Sequence, residues 1–246
     1  MATPTGDDVQ IPLLDGAALR GFVAAPDGAG PHPGVVVLHE MFGLNDDIRR
    51  ICRRFAGEGY VAVCADLYSH GPKTFCLTRV VLDSFRGAGE RTIADIDAVR
   101  AFLSGRADVD GDRVAVIGFC QGGGFALAYA PRGDVKAAAV NYGRVPRKHG
   151  ALEGICPVVA SYGALDGTLK KDPELLERYL TELGVPHDIK VYDGVGHSFL
   201  SIDAAPRWLA RMPSPMHLGY GEDQAEDAWR RILAFFAEHL GVSKAA

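Results

Sequence analysis

The segment Gly118-Phe119-Cys120-Gln121-Gly122-Gly123 is the most informative part of the chain. It follows Val114–Phe119, an apolar run rich in β-branched residues, and it opens an alanine-rich helical pattern over Gln121–Ala130. A central residue flanked by glycines on a strand-to-helix turn is typical of a nucleophile elbow, because a Cβ at the flanking positions would collide with neighbouring backbone. The segment therefore predicts that the Cys120 side chain projects over the carboxyl end of a buried strand. The competing interpretation is a buried cysteine in a glycine-rich turn.

Strands and helices alternate on both sides of this elbow. Alternation of this kind predicts an α/β fold with a mostly parallel central sheet flanked by helices on both faces. The predicted strands are Val9–Leu14, Leu19–Ala25, Val35–Leu38, Tyr60–Cys64, Val114–Phe119, Ala137–Tyr142, Pro157–Tyr162 and Asp188–Tyr192. The predicted helices are Asp47–Glu58, Arg91–Leu103, Gln121–Ala130, Asp172–Leu183 and Gln224–His239. Asn45 or Asp46 is expected to cap the first helix, and Asp172 to cap the fourth.

Length and composition narrow the class of protein. The chain has 246 residues, 48% of them hydrophobic, and no linker-like segment, so we expect a single domain over residues 1–246. Two stretches without regular patterns, about 67–89 and 194–223, are expected to form the walls of a pocket. A net charge of −5 without a basic run argues against nucleic-acid binding. No apolar run is long enough to predict a membrane span.

The five cysteines favour a reducing compartment over a disulfide framework. Their number is odd and no C-x-x-C pair occurs among them. We therefore expect a cytoplasmic protein without a metal site, and no motif indicates a cofactor.

Two polar residues, an aspartate and a histidine, follow strands that come after the elbow in the chain. Asp166 comes after Pro157–Tyr162, and His197 comes after Asp188–Tyr192, each in a loop that contains glycine. Nucleophile, acid and histidine in this chain order are typical of the α/β-hydrolase fold. Taken singly, Asp166 is more often an ordinary loop residue and His197 a structural or surface histidine. Together with Cys120, they predict a Cys-His-Asp triad.

Further segments give the chain a family resemblance. They are His39-Glu40-Met41-Phe42-Gly43-Leu44-Asn45, the run Gly59–Tyr68, the cysteine elbow and Gly196-His197-Ser198-Phe199. From Pro33 to its end, the chain resembles the dienelactone hydrolases, also called carboxymethylenebutenolidases. The resemblance implies that Glu40 faces the nucleophile and helps to form its thiolate when substrate binds. It also implies that Phe42, Tyr142 and Ser198 line the substrate pocket, although ordinary packing would explain these three residues equally well.

The reaction expected from these residues is acyl transfer to sulfur without a cofactor. Cys120 would attack the carbonyl of a lactone or a small ester and form a thioacyl-enzyme intermediate, while His197 moves protons and Asp166 holds the imidazole in one tautomer. The backbone N–H groups of Met41 and Gln121 are expected to form the oxyanion hole, in agreement with the resemblance.

The chain departs from the family at two arginine positions that the resemblance associates with a substrate carboxylate. Ser69 and His70 stand at the first position and Ser201 at the second, which leaves His70 as a candidate substrate-binding residue. Serine cannot replace the bidentate fork of a guanidinium. Two alternatives therefore stay open: a general carboxylesterase or thioesterase, and a thiol-based redox sensor or ligand-binding protein without turnover. The expected partner is a small-molecule ester or lactone, and the expected state is a monomer or small homo-oligomer.

Overall fold

The predicted alternation is present in the computed structural model of the protein, which describes residues 4–71, 78, 80, 82–83, 88–132, 134–203 and 214–242. The strands in these ranges are β1 (Gly6–Pro12), β2 (Ala18–Ala24), β3 (His32–Leu38), β4 (Val61–Ala65), β5 (Val109–Phe119), β6 (Ala137–Asn141), β7 (Val158–Gly163) and β8 (His187–Tyr192). The longer helices are α1 (Asp46–Gly57), α2 (Glu90–Ser104), α3 (Gln121–Tyr129), α4 (Asp172–Glu182) and α5 (Glu222–His239).

The eight strands form one sheet in the order β1-β2-β4-β3-β5-β6-β7-β8. Pairing is antiparallel between β1 and β2 and between β2 and β4, and it is parallel from β4 across to β8. Every residue of β4, β6 and β7 is buried. Continuous burial is expected of strands that are covered on both faces, and it explains their short runs of small and β-branched apolar residues.

Of the two predicted helix caps, the structure has the one at α1 and lacks the one at α4. Asn45 caps α1, since its side chain accepts a hydrogen bond from the N–H of Ile48 at 3.0 Å. The prediction that Asp172 caps α4 is wrong, because the cap is Lys171 and Asp172 lies within the helix. The Asp172 carboxylate instead accepts from the N–H of Val145 at 2.7 Å and from Arg147 at 2.8 Å. A long-range contact has replaced the local cap.

The two segments predicted to be irregular differ from each other. Residues 78, 80, 82 and 83 are helical, so the prediction of an irregular stretch over 67–89 is wrong at these positions. The described residues 194–203 and 214–221 lie outside helices and strands, as predicted, but Glu222 and Asp223, which the prediction placed in this irregular stretch, belong to α5. The sequence offers three cations that could replace the missing arginines, Lys73, Arg79 and Arg207, and all three lie outside the described residues. The same holds for the candidate pocket residues Phe75, Cys76, Trp208 and Met212.

The parallel part of the sheet brings the predicted site residues to one edge. Six adjacent strands, in the spatial order β4, β3, β5, β6, β7, β8, run in the same direction. The carboxyl ends of parallel strands meet at the same edge of a sheet, where open α/β sheets bind ligands. In that spatial order, the residues that follow the strand ends are Tyr68, Met41, Cys120, Tyr142, Asp166 and His197.

Candidate active site

Cys120 lies on a tight turn between β5 and α3. Its φ is 56°, in the region that side chains rarely occupy, and it is the N-cap residue of α3. The glycines around it are required by space: a Cβ on Gly118 would lie 1.9 Å from the carbonyl oxygen of Gly122, and a Cβ on Gly122 would lie 2.3 Å from that of Leu38. The half-buried thiol is therefore presented by a strained elbow, which matches the predicted nucleophile geometry.

Asp166 and His197 form a buried pair. The His197 Nδ1 lies 2.6 Å from Asp166 Oδ2, and both side chains are almost fully buried. The other carboxylate oxygen of Asp166 accepts from the N–H of Thr168 at 3.0 Å and from its hydroxyl at 2.6 Å. Burial raises the pKa of Asp166, but the hydrogen bonds from His197 and Thr168 outweigh it and leave the pKa below its usual value. The carboxylate therefore stays charged and fixes the imidazole with a proton on Nδ1.

The second imidazole nitrogen of His197 is directed away from Asp166. Nε2 is buried without a hydrogen-bond partner among the described residues. Burial lowers the pKa of His197, but the hydrogen bond to Asp166 and the interaction with Cys120 prevail and raise it to about 10. A buried imidazole with one nitrogen on a carboxylate and the other near a thiol is suited to accept the proton of that thiol.

Glu40 is buried beside the same residues and has hydroxyl partners. The Ser201 hydroxyl donates to Glu40 Oε1 at 2.9 Å, and the Tyr142 hydroxyl lies 2.9 Å from Ser201 Oγ. Burial raises the pKa of Glu40, and His197 and the two hydroxyl groups counter this only in part. The charge of His197 therefore acts on Glu40, and the expectation that Glu40 faces Cys120 stays a prediction.

The N–H groups of Met41 and Gln121 have no hydrogen-bond acceptor within the described part of the chain. Gln121 is the first residue of α3, so its N–H lies in the helix turn that has no internal acceptor. Met41 follows β3, the strand adjacent to β5. Two unpaired N–H groups beside the Cys120 turn fit the predicted oxyanion hole, whose role stays a prediction.

The predicted substrate-binding residues fall into two groups. Tyr142 is buried with its ring centroid 4.9 Å from that of His197, Ser198 is buried directly after His197 with a φ of 62°, and Phe42 is partly exposed in the loop after β3. His70 is bonded elsewhere: its contacts are Asp15 at 3.1 Å, Asp95 at 3.3 Å and Arg91. None of those three partners is a predicted site residue, so the contacts of His70 do not support a role in substrate binding.

Both serines at the family's arginine positions are engaged within the protein. Ser69 Oγ donates to the carbonyl of Asp66 at 2.6 Å and accepts from the N–H of Arg20 at 2.9 Å. Ser201 donates to Glu40. Neither residue presents a positive charge.

Sequence reasoning missed three hydroxyl groups that bond predicted site residues: Thr168 bonds Asp166, Ser201 bonds Glu40, and Tyr68 bonds the Met41 carbonyl and the Gln121 side chain. The sequence does contain a signal for Thr168, since an aspartate carboxylate often accepts a hydrogen bond from the residue two positions later in a local turn. Ser201 and Tyr68 contact residues that are distant in sequence, and no local pattern identifies such contacts.

Within the described ranges, no group of three or more His, Cys, Asp or Glu side chains is arranged to hold a metal ion. Among the helices assigned in the same ranges, none combines the length and the apolar character that a membrane crossing requires.

Comparison with known proteins identifies the family. The sequence profile of the dienelactone hydrolase family matches residues 19–240. A Salmonella typhimurium protein, provisionally named a carboxymethylenebutenolidase, is 31% identical over 243 residues, which cover 92% of this chain and 85% of that protein. A dienelactone hydrolase-like promiscuous phosphotriesterase from metagenomic libraries superposes with a TM-score of 0.80 at 27% identity, covering 97% of this chain and 99% of the other.

A dienelactone hydrolase from Anabaena variabilis shares the fold, with a TM-score of 0.71 at 18% identity over 97% of this chain and 99% of the other. The mostly parallel sheet, the cysteine elbow and these matches agree. The chain is an ester-bond hydrolase of the α/β-hydrolase fold and belongs to the dienelactone hydrolase family.

Proposed function

We propose that this protein hydrolyses lactones or small carboxylic esters with Cys120 as its nucleophile. The observation that carries the proposal is the His197–Asp166 pair: one imidazole nitrogen lies 2.6 Å from the carboxylate, and the other has no hydrogen-bond partner among the described residues while the ring interacts with Cys120. This is the arrangement that a thiol nucleophile with a general base requires. Small-molecule esters or lactones remain the proposed partners, in the cytoplasm, with the protein as a monomer or small homo-oligomer.

The proposed reaction has two stages. Because its pKa is raised to about 10, His197 holds the thiol proton on Nε2, and Cys120 attacks the carbonyl carbon as a thiolate. The tetrahedral intermediate then expels the alkoxide, which receives that proton from His197. A water molecule activated by His197 then attacks the thioester, releases the acid and restores the thiol. Asp166 stabilises the imidazolium that forms in each stage.

Negative charge develops on the carbonyl oxygen in both tetrahedral intermediates. The unpaired N–H groups of Met41 and Gln121 would receive it. Losing one such donor typically raises a barrier by about 3–4 kcal/mol. Glu40 would help to form the Cys120 thiolate when a substrate enters, as the family resemblance implies, and the charge of His197 acts on its buried carboxyl group.

A neutral substrate fits the described site better than an anionic one. Ser69 and Ser201 are bonded within the protein, and Glu40 adds a potential negative charge to the pocket. Within the described residues, neither family arginine position supplies the bidentate cation that stabilises a buried substrate carboxylate, and burying that carboxylate without one is costly.

The first test compares initial hydrolysis rates for a neutral activated ester and a carboxylate-bearing lactone. We expect the wild-type protein to prefer the neutral ester and Cys120→Ala to fall to the uncatalysed rate with both substrates. Near-ultraviolet circular dichroism of Cys120→Ala checks that the fold is kept.

Each outcome is informative. A preference for the charged lactone would contradict the proposed substrate class and would require a cation from another part of the chain. Turnover retained by Cys120→Ala would contradict the proposed nucleophile. A wild-type protein with no turnover, but with a peroxide-sensitive Cys120, would favour the sensor alternative.

A further inference from the structure

Tyr68 connects the two loops that carry the proposed oxyanion-hole donors. Its hydroxyl donates to the carbonyl oxygen of Met41 at 3.0 Å and accepts from the side-chain amide of Gln121 at 2.6 Å. The side chain is 3% exposed and follows β4, on the far side of β3 from the elbow. One buried hydroxyl group therefore contacts both residues whose backbone N–H groups are unpaired.

The peptide bond between Glu40 and Met41 is held separately. Its carbonyl oxygen lies 2.6 Å from His39 Nδ1 and accepts from the N–H of Gly43 at 3.1 Å. In a trans peptide the N–H points opposite to the C=O, so these two contacts fix the direction of the Met41 N–H. Tyr68 holds the next carbonyl along the chain. The backbone is thus restrained on both sides of Met41.

His39 ties this loop to the segment that carries Tyr68. Its Nε2 lies 3.1 Å from the N–H of Leu67, and its ring centroid is 5.0 Å from that of Tyr68. Nε2 must accept while Nδ1 donates to the Glu40 carbonyl, so the imidazole is neutral. Burial lowers the pKa of His39, which favours this form.

Close packing restricts movement of the tyrosine ring itself. Gly43 has a φ of +78°, and a Cβ at this position would lie 3.1 Å from Tyr68 Cδ2. The turn from Glu40 to Gly43 therefore lies directly against the ring. Burial raises the pKa of Tyr68 to about 12, so the hydroxyl keeps the proton that it donates to Met41.

We propose that Tyr68 is a positioning residue for the oxyanion hole, which it holds in shape by joining the Met41 carbonyl to the Gln121 side chain. The inference rests on the proposed function, because it takes the N–H groups of Met41 and Gln121 as the oxyanion donors. Tyr68 touches no reacting atom in this account. It fixes the distance and the angle between the two donors before substrate arrives, as electrostatic preorganisation requires.

The test separates oxyanion stabilisation from thiol reactivity with two reactions of Cys120. Acylation by an activated ester forms the S–C bond at a carbonyl, moves an electron pair onto oxygen and then expels the leaving group, so it needs the oxyanion hole. Alkylation by iodoacetamide forms an S–C bond and expels iodide in one step, without an oxyanion. Peptide mass spectrometry measures both rates at Cys120 itself.

Tyr68→Phe removes the hydroxyl and keeps the ring. We expect acylation to fall about 10- to 100-fold, since donors displaced by a fraction of an ångström lose much of their effect. Alkylation is expected to stay within about twofold of wild type, because no oxyanion donor takes part in it. Gln121→Met removes only the amide that donates to Tyr68. It should lower the acylation rate by a smaller factor and leave the alkylation rate unchanged, and it replaces Tyr68→Phe in the test if that variant does not fold.

Tyr162→Phe is the matched control. Tyr162 is also buried, and its hydroxyl donates to a backbone carbonyl, that of Gly143, at 2.9 Å. It does not contact Met41 or Gln121, so the ratio of acylation to alkylation should stay at the wild-type value.

Two results would overturn the role of Tyr68. One is an unchanged ratio in Tyr68→Phe, and the other is an equal fall of both rates, which would assign its effect to the thiol or to general folding. A separate result concerns the proposed function. If wild-type Cys120 acylates no faster, relative to its alkylation, than a free thiol such as 2-mercaptoethanol, there is no oxyanion hole and the hydrolase proposal fails together with the inference.

Discussion

Glu40 is a carboxyl group buried among neutral hydrogen-bond donors. Where the family has an arginine four residues after the histidine, this chain has Ser201, whose hydroxyl donates to Glu40 Oε1 at 2.9 Å. A hydroxyl group stabilises a buried carboxylate much less than a guanidinium does. Burial accordingly raises the pKa of Glu40. The cost of ionising this residue becomes part of the pH dependence of stability.

Glu40→Gln tests this account of the residue. Below the ordinary glutamate pKa, the folded and unfolded wild-type states both hold the proton, and Glu40 contributes no pH dependence. As pH rises through the raised folded pKa, the unfolded state gains more from ionisation, so wild-type stability falls. Glutamine keeps an oxygen for Ser201 and does not ionise. Urea unfolding at about pH 5 and about pH 8 should show the variant gaining stability relative to wild type at the higher pH.

Ser201→Ala should increase the pH dependence of stability, whereas Glu40→Gln should decrease it. It removes a donor that lowers the pKa of Glu40, so the fall of stability between the same two pH values should be larger than in wild type. If Glu40→Gln and wild type differ in free energy of unfolding by the same amount at both pH values, the assignment of a raised pKa to Glu40 is contradicted.

The elbow between β5 and α3 depends on glycines that permit close approach of backbone to backbone. A Cβ on Gly122 would lie 2.3 Å from the carbonyl oxygen of Leu38, the last residue of β3. Gly124 is on the same helix, but a Cβ there would meet its nearest atom, the carbonyl oxygen of Arg144, at 3.5 Å. The two positions therefore differ in what a methyl group would cost.

Gly122→Ala is expected to lower the free energy of unfolding by about 1–3 kcal/mol, because overpacking forces the backbone to move. It should also reduce acylation of Cys120, since α3 begins directly after the nucleophile. Gly124→Ala, the control, should be neutral or stabilising by up to about 1 kcal/mol, as alanine favours helix. Chemical denaturation measures both variants. Equal effects at the two positions would contradict the packing account of the elbow.

The starts of helices were predictable where a side chain close in sequence caps the helix. The Asn45 cap follows from a side chain that bonds the backbone three residues later. Asp172 carries the same local signal, yet its carboxylate bonds Val145 and Arg147 instead, and the cap of α4 is Lys171, one residue before the predicted cap. A competing long-range contact of this kind leaves no trace in the local sequence.

At the scale of the whole molecule, strand order explains how much of the site was predictable. Cys120, Asp166 and His197 each follow a strand of one parallel sheet, so their convergence follows from topology alone. The Glu40–Ser201 contact joins residues 161 positions apart, and the Tyr68 contacts depend on side-chain geometry across three strand ends. Such contacts required the three-dimensional structure.

The covalent intermediate provides the most direct test of the central claim, that Cys120 is the nucleophile. The protein is mixed with an activated ester, quenched in acid within one turnover, and digested for peptide mass spectrometry. The account predicts one acyl group per chain, on Cys120, that disappears when water is allowed to complete the reaction. An acyl group on another residue, or full hydrolytic turnover by Cys120→Ala, would contradict it.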